Sequence, residues 1–146
     1  MIKFFIDIFI FCKFKSKESE YKVGFFCESN FIFHYLEPYI LNKSKKVKVI
    51  ILSFENLQSD LIDKSNVFVF RTNFFRQLVF LTLKLNVLYS STPDLNNTIF
   101  QRAKFSKCKY IYLHHTPVSL TLIYNPNAFD AFDAVQSIST YQYKEM

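Results

Sequence analysis

Residues 22–54, KVGFFCESNFIFHYLEPYILNKSKKVKVIILSF, contain a strand, a helix and a second strand in succession, and the fold follows from them. The run KVGFFC at 22–27 is short and almost wholly apolar, the signature of a strand buried on both faces. Between 29 and 42 the apolar residues Ile32, Phe33, Leu36, Tyr39 and Ile40 recur every three or four positions, which suits one face of a helix. Pro38 falls inside that segment, where a proline removes a hydrogen bond and kinks or starts a helix. KVKVIILSF at 46–54 is basic where it begins and apolar where it ends, as expected of a strand diving between helices. Strands joined through a helix run parallel, so the stretch predicts a βαβ unit.

The alternation continues toward the carboxyl end. VFVFR at 67–71 reads as a third strand, 73–84 as a helix capped by Thr72 or Asn73, and VLYSS at 87–91 as a fourth strand. A helix fits 97–105, a fifth strand KYIYL at 109–113, and a sixth AVQSIS at 134–139 leading into 140–146. The predicted class is α/β, a Rossmann-like parallel sheet with covering helices. The sequence shows neither an internal repeat nor a Pro/Gly/Ser-rich linker, and 146 residues fit one domain of about 100–200. A last helix of about six residues is short against a usual 11 or 12, so residues 21–146 read as one incomplete domain.

Residues 1–20 stand apart as a basic and aromatic amphipathic segment. Their apolar stretch, 4–14, is interrupted by Asp7 and Lys13, and is too short for a span of about 20 apolar residues. Lys15, Ser16, Lys17 and Glu18 follow it in place of the small residues of a signal cleavage site. Two expectations remain open: a segment lying on an anionic membrane, or an ordinary element packed on the domain.

Composition removes whole classes of function. Half the residues are hydrophobic and 19% aromatic, which excludes a disordered chain. Gly24 is the single glycine where average usage gives about ten. No glycine-rich phosphate loop, dinucleotide turn or G-x-S-x-G nucleophile elbow can be built. Cys12, Cys27 and Cys108 are odd in number and widely spaced, with no ligand-spaced histidine, so they predict neither a disulfide framework nor a metal site. They suit buried free thiols in a reducing cytoplasm. The net charge of +6 attracts phosphates in general, and nine of the eighteen basic residues fall in the first fifty positions. Nucleic acid is not the expected partner, because the aromatics fall mostly at buried strand and helix positions rather than on a basic face.

In open α/β sheets ligands bind beyond the carboxyl ends of the strands. The residues that follow the predicted strands are polar: Glu28, Ser29 and Asn30; Ser90, Ser91, Thr92, Pro93 and Asp94; His114, His115, Thr116 and Pro117; Ser139 and Thr140. The histidine pair carries the sharpest signal, since imidazole titrates near neutrality and can take a proton from an attacking hydroxyl. Neighbouring residues at a strand end point to opposite faces, so at most one of the pair faces a cleft and joint metal ligation is not expected. His34, inside a predicted helix, reads as a packing or surface residue.

The run KYIYLHHTPVS at 109–119, with FDAFDAVQSIS at 129–139 and, less specifically, KVGFFCESN at 22–30, resembles the amino-terminal half of the CDP-glycerol glycerophosphotransferase family, the teichoic-acid primases and polymerases. The resemblance covers roughly residues 21–146. It implies the first of two Rossmann-like domains of a GT-B fold, working at the cytoplasmic membrane face on a lipid-linked or surface-polysaccharide acceptor. His114 matches the family's base, which deprotonates the acceptor hydroxyl, and Thr116 and Pro117 match its Thr-Pro. His115 stands where the family has glycine, and Val118-Ser119 replace Leu-Lys, so either histidine could be the active one. Ser90, Ser91, His115, Thr116, Pro117, Glu28 and Ser139 are the expected binding residues around His114. No cofactor or metal is implied, and the nucleotide-activated donor would be held by a second domain. A rival expectation is a non-catalytic α/β module that binds a partner chain or a membrane surface, and a flavodoxin-like flavin domain has the same topology.

Overall fold

The computed structural model describes residues 2–95, 101–103, 106–114, 119–137, 139, 140 and 144. Six strands form one all-parallel sheet: β1 (Val23–Cys27), β2 (Val49–Ser53), β3 (Val67–Val69), β4 (Val87–Ser90), β5 (Lys109–Leu113) and β6 (Ala134–Gln136). Their order is β3-β2-β1-β4-β5-β6, so the chain builds outward from β1 in one direction and then returns to build outward from β4 in the other. This is a Rossmann-like α/β fold, as the alternation predicts. Both edge strands have only three residues, which limits their use as templates for further pairing.

Alternation along the strands divides the core in two. Phe26, Ile50, Leu52, Phe68, Leu88 and Tyr110 face one side, where they meet Phe14 of α1 (Ile2–Lys17) and Phe75, Val79 and Phe80 of α3 (Asn73–Thr82). Phe25, Cys27, Val49, Ile51 and Leu113 face the other, under Phe33, Leu36 and Ile40 of α2 (Asn30–Ser44). A single turn, α4 (Leu120–Ile123), precedes β6. No α-helix joins β2 to β3; residues 54–66 make the crossover as an irregular segment ending in a 3-10 turn, Lys64–Asn66.

Gly24 is explained by close approach. A Cβ there would lie 2.5 Å from Leu85 Cδ1 and 3.1 Å from Leu88 Cδ1, so a side chain at this position would have to displace those leucine methyls. Helix α2 runs through Pro38, which is exposed. The hydrogen bond that the proline removes therefore lies on the solvent side, where water can replace it.

The amino-terminal segment packs on the domain through its inner face. Asp7 is fully buried, and its carboxylate accepts bonds from Arg71 N (3.0 Å), Thr72 N (2.7 Å) and Thr72 Oγ1 (2.7 Å). Thr72 occupies the N-cap of α3, but its hydroxyl donates to Asp7 instead of accepting from the helix, so a residue of α1 satisfies these amides. At the other end of the pair, Lys15 Nζ donates to Thr82 O and Glu18 Oε1 accepts from Lys84 N. Helices α1 and α3 therefore lie side by side with their amino termini together.

The structure also adjusts the expected elements. β2 starts at Val49, three residues late, because Lys46, Val47 and Lys48 are exposed. β6 ends at Gln136, so Ser139 is not at a strand tip. Residues 101–103 carry no helix; Arg102 instead donates to Cys108 O and Ala131 O and pairs with Asp133. The rest of the helix expected at 97–105, and most of 140–146, lie outside the described residues.

Candidate functional site at the strand tips

The strand order reverses between β1 and β4, and in such sheets the crevice opens there, beyond the carboxyl ends. Pairing Phe26 with Ser90 aligns the two strands so that Glu28 and Thr92 emerge side by side. Glu28 is exposed, and its Oε2 accepts from Thr92 Oγ1 at 3.1 Å across the switch point. Ser90 Oγ accepts from Thr92 N at 3.1 Å and closes the turn after β4. Ser91 Oγ donates to Leu113 O at 2.6 Å, tying the tip of β4 to that of β5. His114 N in turn donates to Gln136 O at 3.3 Å, joining β5 to β6. The backbone after β4 continues into Asp94, whose φ of 55° lies in the left-handed region that Asp tolerates better than most residues.

His114 is 2% exposed. Its ring is edge-on to Tyr112 at 4.7 Å, with Phe129 at 5.6 Å and Tyr124 at 5.9 Å. Tyr112 and Tyr124 bring their hydroxyls within 3.3 Å of each other. Burial, reinforced by Tyr124, pushes the Tyr112 hydroxyl far above the ordinary phenol range. The Tyr112 phenol is therefore a hydrogen-bonding group and not an acid at neutral pH.

The first turn of α2, where a Rossmann-like domain would hold a phosphate, is filled by the chain itself. Glu55 Oε2 accepts from Asn30 N at 3.0 Å, and Ser29 Oγ accepts from Ile32 N. The Asn30 side chain bonds Asn56 O and Gln58 N, fixing the 56–58 segment over this turn. Glu55 follows β2 as Glu28 follows β1, so two carboxylates flank the crevice. Two cations border this region: Arg71, whose Nη2 donates to Asn56 Oδ1, and Arg76, whose guanidinium lies 4.2 Å over the Phe54 ring and donates to Phe70 O. Burial lowers the Arg76 pKa, and the charges of Asp7, Glu28 and Glu55 partly oppose that shift. Beside the α2 turn a cavity of about 280 Å³ is lined by Phe33, Leu57, Ile62 and Val67 with Asn56 and Lys64.

Of the residues expected at the site, Glu28, Ser90, Ser91 and His114 come together along the tips of β1, β4 and β5. Ser139 is half-buried beyond β6, and His115, Thr116 and Pro117 lie outside the described residues. His34 is an exposed residue of α2. Glu55, Arg76, Tyr124 and Phe129 escape the sequence reading. Applying the strand-tip rule to β2 would have found Glu55; the others reach the site through tertiary packing alone. Among the described residues no group of three or more His, Cys, Asp or Glu could hold a metal ion, and no helix is long and apolar enough to cross a membrane. The chain matches no family model, no curated protein and no solved structure.

Proposed function

We propose that the chain is the acceptor-side domain of a transferase of the glycerophosphotransferase or glycosyltransferase type, the amino-terminal half of a GT-B enzyme working at the inner membrane face on a lipid-linked or polysaccharide acceptor. The observation that carries this reading is the exposed carboxylate of Glu28 at the reversal of strand order, backed by the buried hydroxyls of Thr92, Ser90 and Ser91. Carboxylates and hydroxyls suit a polyol, whose hydroxyls donate to Glu28. Glu28 and Glu55 together disfavour a phosphate beside them, which supports a nucleotide-activated donor held by a second domain. In the reaction the acceptor oxygen would attack the donor phosphorus, the bond to the nucleoside monophosphate would break, and His114 would take the hydroxyl proton. Access to His114 requires the substrate to displace Tyr124 or Phe129 from its ring.

The test is a titration of the isotope-labelled full chain, followed by amide resonances. Glycerol should shift Glu28, Ser91, Thr92 and His114, Glu28→Gln should weaken that response, and cytidine monophosphate should shift none of the four. Shifts at these amides with the nucleotide and none with glycerol would overturn the acceptor assignment. The enclosure of His114 favours a second reading, a non-catalytic α/β module that binds a partner chain or membrane surface. It requires that glycerol leave the strand tips unchanged.

A further inference from the structure

Helix α1 is apolar on two opposite sides. Its inner side supplies Phe14, with Ile10 and Phe11 partly buried, to the core. Its outer side leaves Ile2 77%, Phe5 63% and Phe9 71% exposed, with Ile6 and Ile8 beside them. A helix that is apolar all round is normally covered on every side, and α1 is covered on one.

The patch does not stop at α1. Phe4 packs against Phe74 of α3 with ring centroids 6.0 Å apart, and Phe74 is itself 58% exposed. Leu81, two turns along the same helix, is also exposed. The two parallel helices thus form a continuous apolar platform. It is held flat, because Asp7 at one end and Lys15 with Glu18 at the other fasten α1 to the domain.

The charges around the platform identify its occupant. Lys3 and Lys13 on α1 are exposed and Lys17 is half-buried. The only acid in either helix is Asp7, which is fully buried. A second copy docked face to face would bring Lys3 and Lys13 against their own equivalents with no exposed carboxylate on either helix to offset them. An anionic lipid surface meets both features at once: aromatic and aliphatic side chains enter the headgroup boundary while lysines contact the phosphates.

We infer that the outer face of α1, extended by Phe74 and Leu81, is a fixed docking surface for an anionic membrane. It gives a surface to the membrane location proposed above and rests on that part of the reading alone. Vesicle binding and glycerol titration are separate measurements, so either can fail without the other.

The experiment is co-sedimentation of the full chain with phosphatidylglycerol–phosphatidylcholine vesicles and with pure phosphatidylcholine vesicles. Binding to the anionic vesicles is expected to exceed that to neutral ones by more than about tenfold. It should fall as salt approaches about 1 M, where the screening length is about 3 Å. Phe5→Ser with Phe9→Ser, both outside the core, should lower binding at least tenfold with an unchanged circular-dichroism spectrum. Because the protein has no tryptophan, Phe9→Trp adds a fluorophore to the otherwise intact chain. Its emission should shift to the blue on anionic vesicles and be quenched by brominated lipid. Absence of binding, binding that survives the double substitution, or a salt-insensitive dimer that the double substitution dissociates would each overturn the inference.

Discussion

Replacing Asp7 by alanine tests the central claim about how α1 is fastened. The carboxylate is fully buried and satisfies two backbone amides, Arg71 N and Thr72 N, with the Thr72 hydroxyl as a third donor. Each buried donor left without a partner costs about 1–3 kcal/mol, so the two amides together cost about 4 kcal/mol. That is a large part of a total stability of about 5–15 kcal/mol. With a urea m-value of about 2 kcal/mol/M, the unfolding midpoint should fall by about 2 M. Asp7→Asn keeps one acceptor oxygen but aims an amide group at other donors, so its loss should be about half as large. The assay is urea unfolding followed by circular dichroism, with near-ultraviolet and far-ultraviolet signals required to coincide. A midpoint shift below about 0.5 M for Asp7→Ala, or a larger loss for asparagine than for alanine, would refute the claim that this carboxylate secures α1 to α3.

Three further outcomes follow from packing and charge. Gly24→Ala should destabilise by about 1–3 kcal/mol through overpacking against Leu85, and Leu85→Ala should cost less in that background than in the wild type, as a double-mutant cycle in thermal melts would read. Burial pushes the Cys108 thiol up to about 12 and the Cys27 thiol higher still, while Cys12 is exposed, so a thiol reagent near pH 8 should label Cys12 in the native protein and all three cysteines after denaturation. At Asp133 burial alone would raise the pKa, but the Tyr110 N–H and the Arg102 guanidinium hold it below the ordinary carboxylate value. The stability it contributes is therefore complete above about pH 4 and is lost as pH falls through the lowered native value, so Asp133→Asn should flatten the acid side of the stability profile measured by denaturant unfolding.

Strand content was legible because the strands are short apolar runs set between polar segments. The fifth strand, 109–113, falls at its expected bounds, since Lys109 opens it and His114 closes it. One boundary failed where a β-prone residue lies outside the ladder, since Val47 is exposed before β2, and β6 stops at Gln136, short of the expected 139. The segment near Arg102 reads as helical by composition, but that guanidinium bonds the carbonyl of Cys108 and, across the chain, that of Ala131, the second a long-range bond that no local pattern encodes. The strand-tip rule located Glu28, Ser90, Ser91 and His114, yet it could not show that the first turn of α2 is occupied by Glu55. Nor could it show that Tyr124 and Phe129 close over His114. The amino-terminal segment was legible as apolar and basic; the role of Asp7, which reads in sequence as an interruption, emerges only when residue 72 is beside it.

That separation has a consequence for synthesis. Helix α1 is synthesised before α3, and the amide whose bond Asp7 accepts comes 65 residues later in the chain. At about 5–20 residues per second, α1 waits about 3–13 s for its partner. During that interval both apolar sides of the helix are uncovered at once. The inner side of α1 must therefore stay uncommitted until α3 arrives.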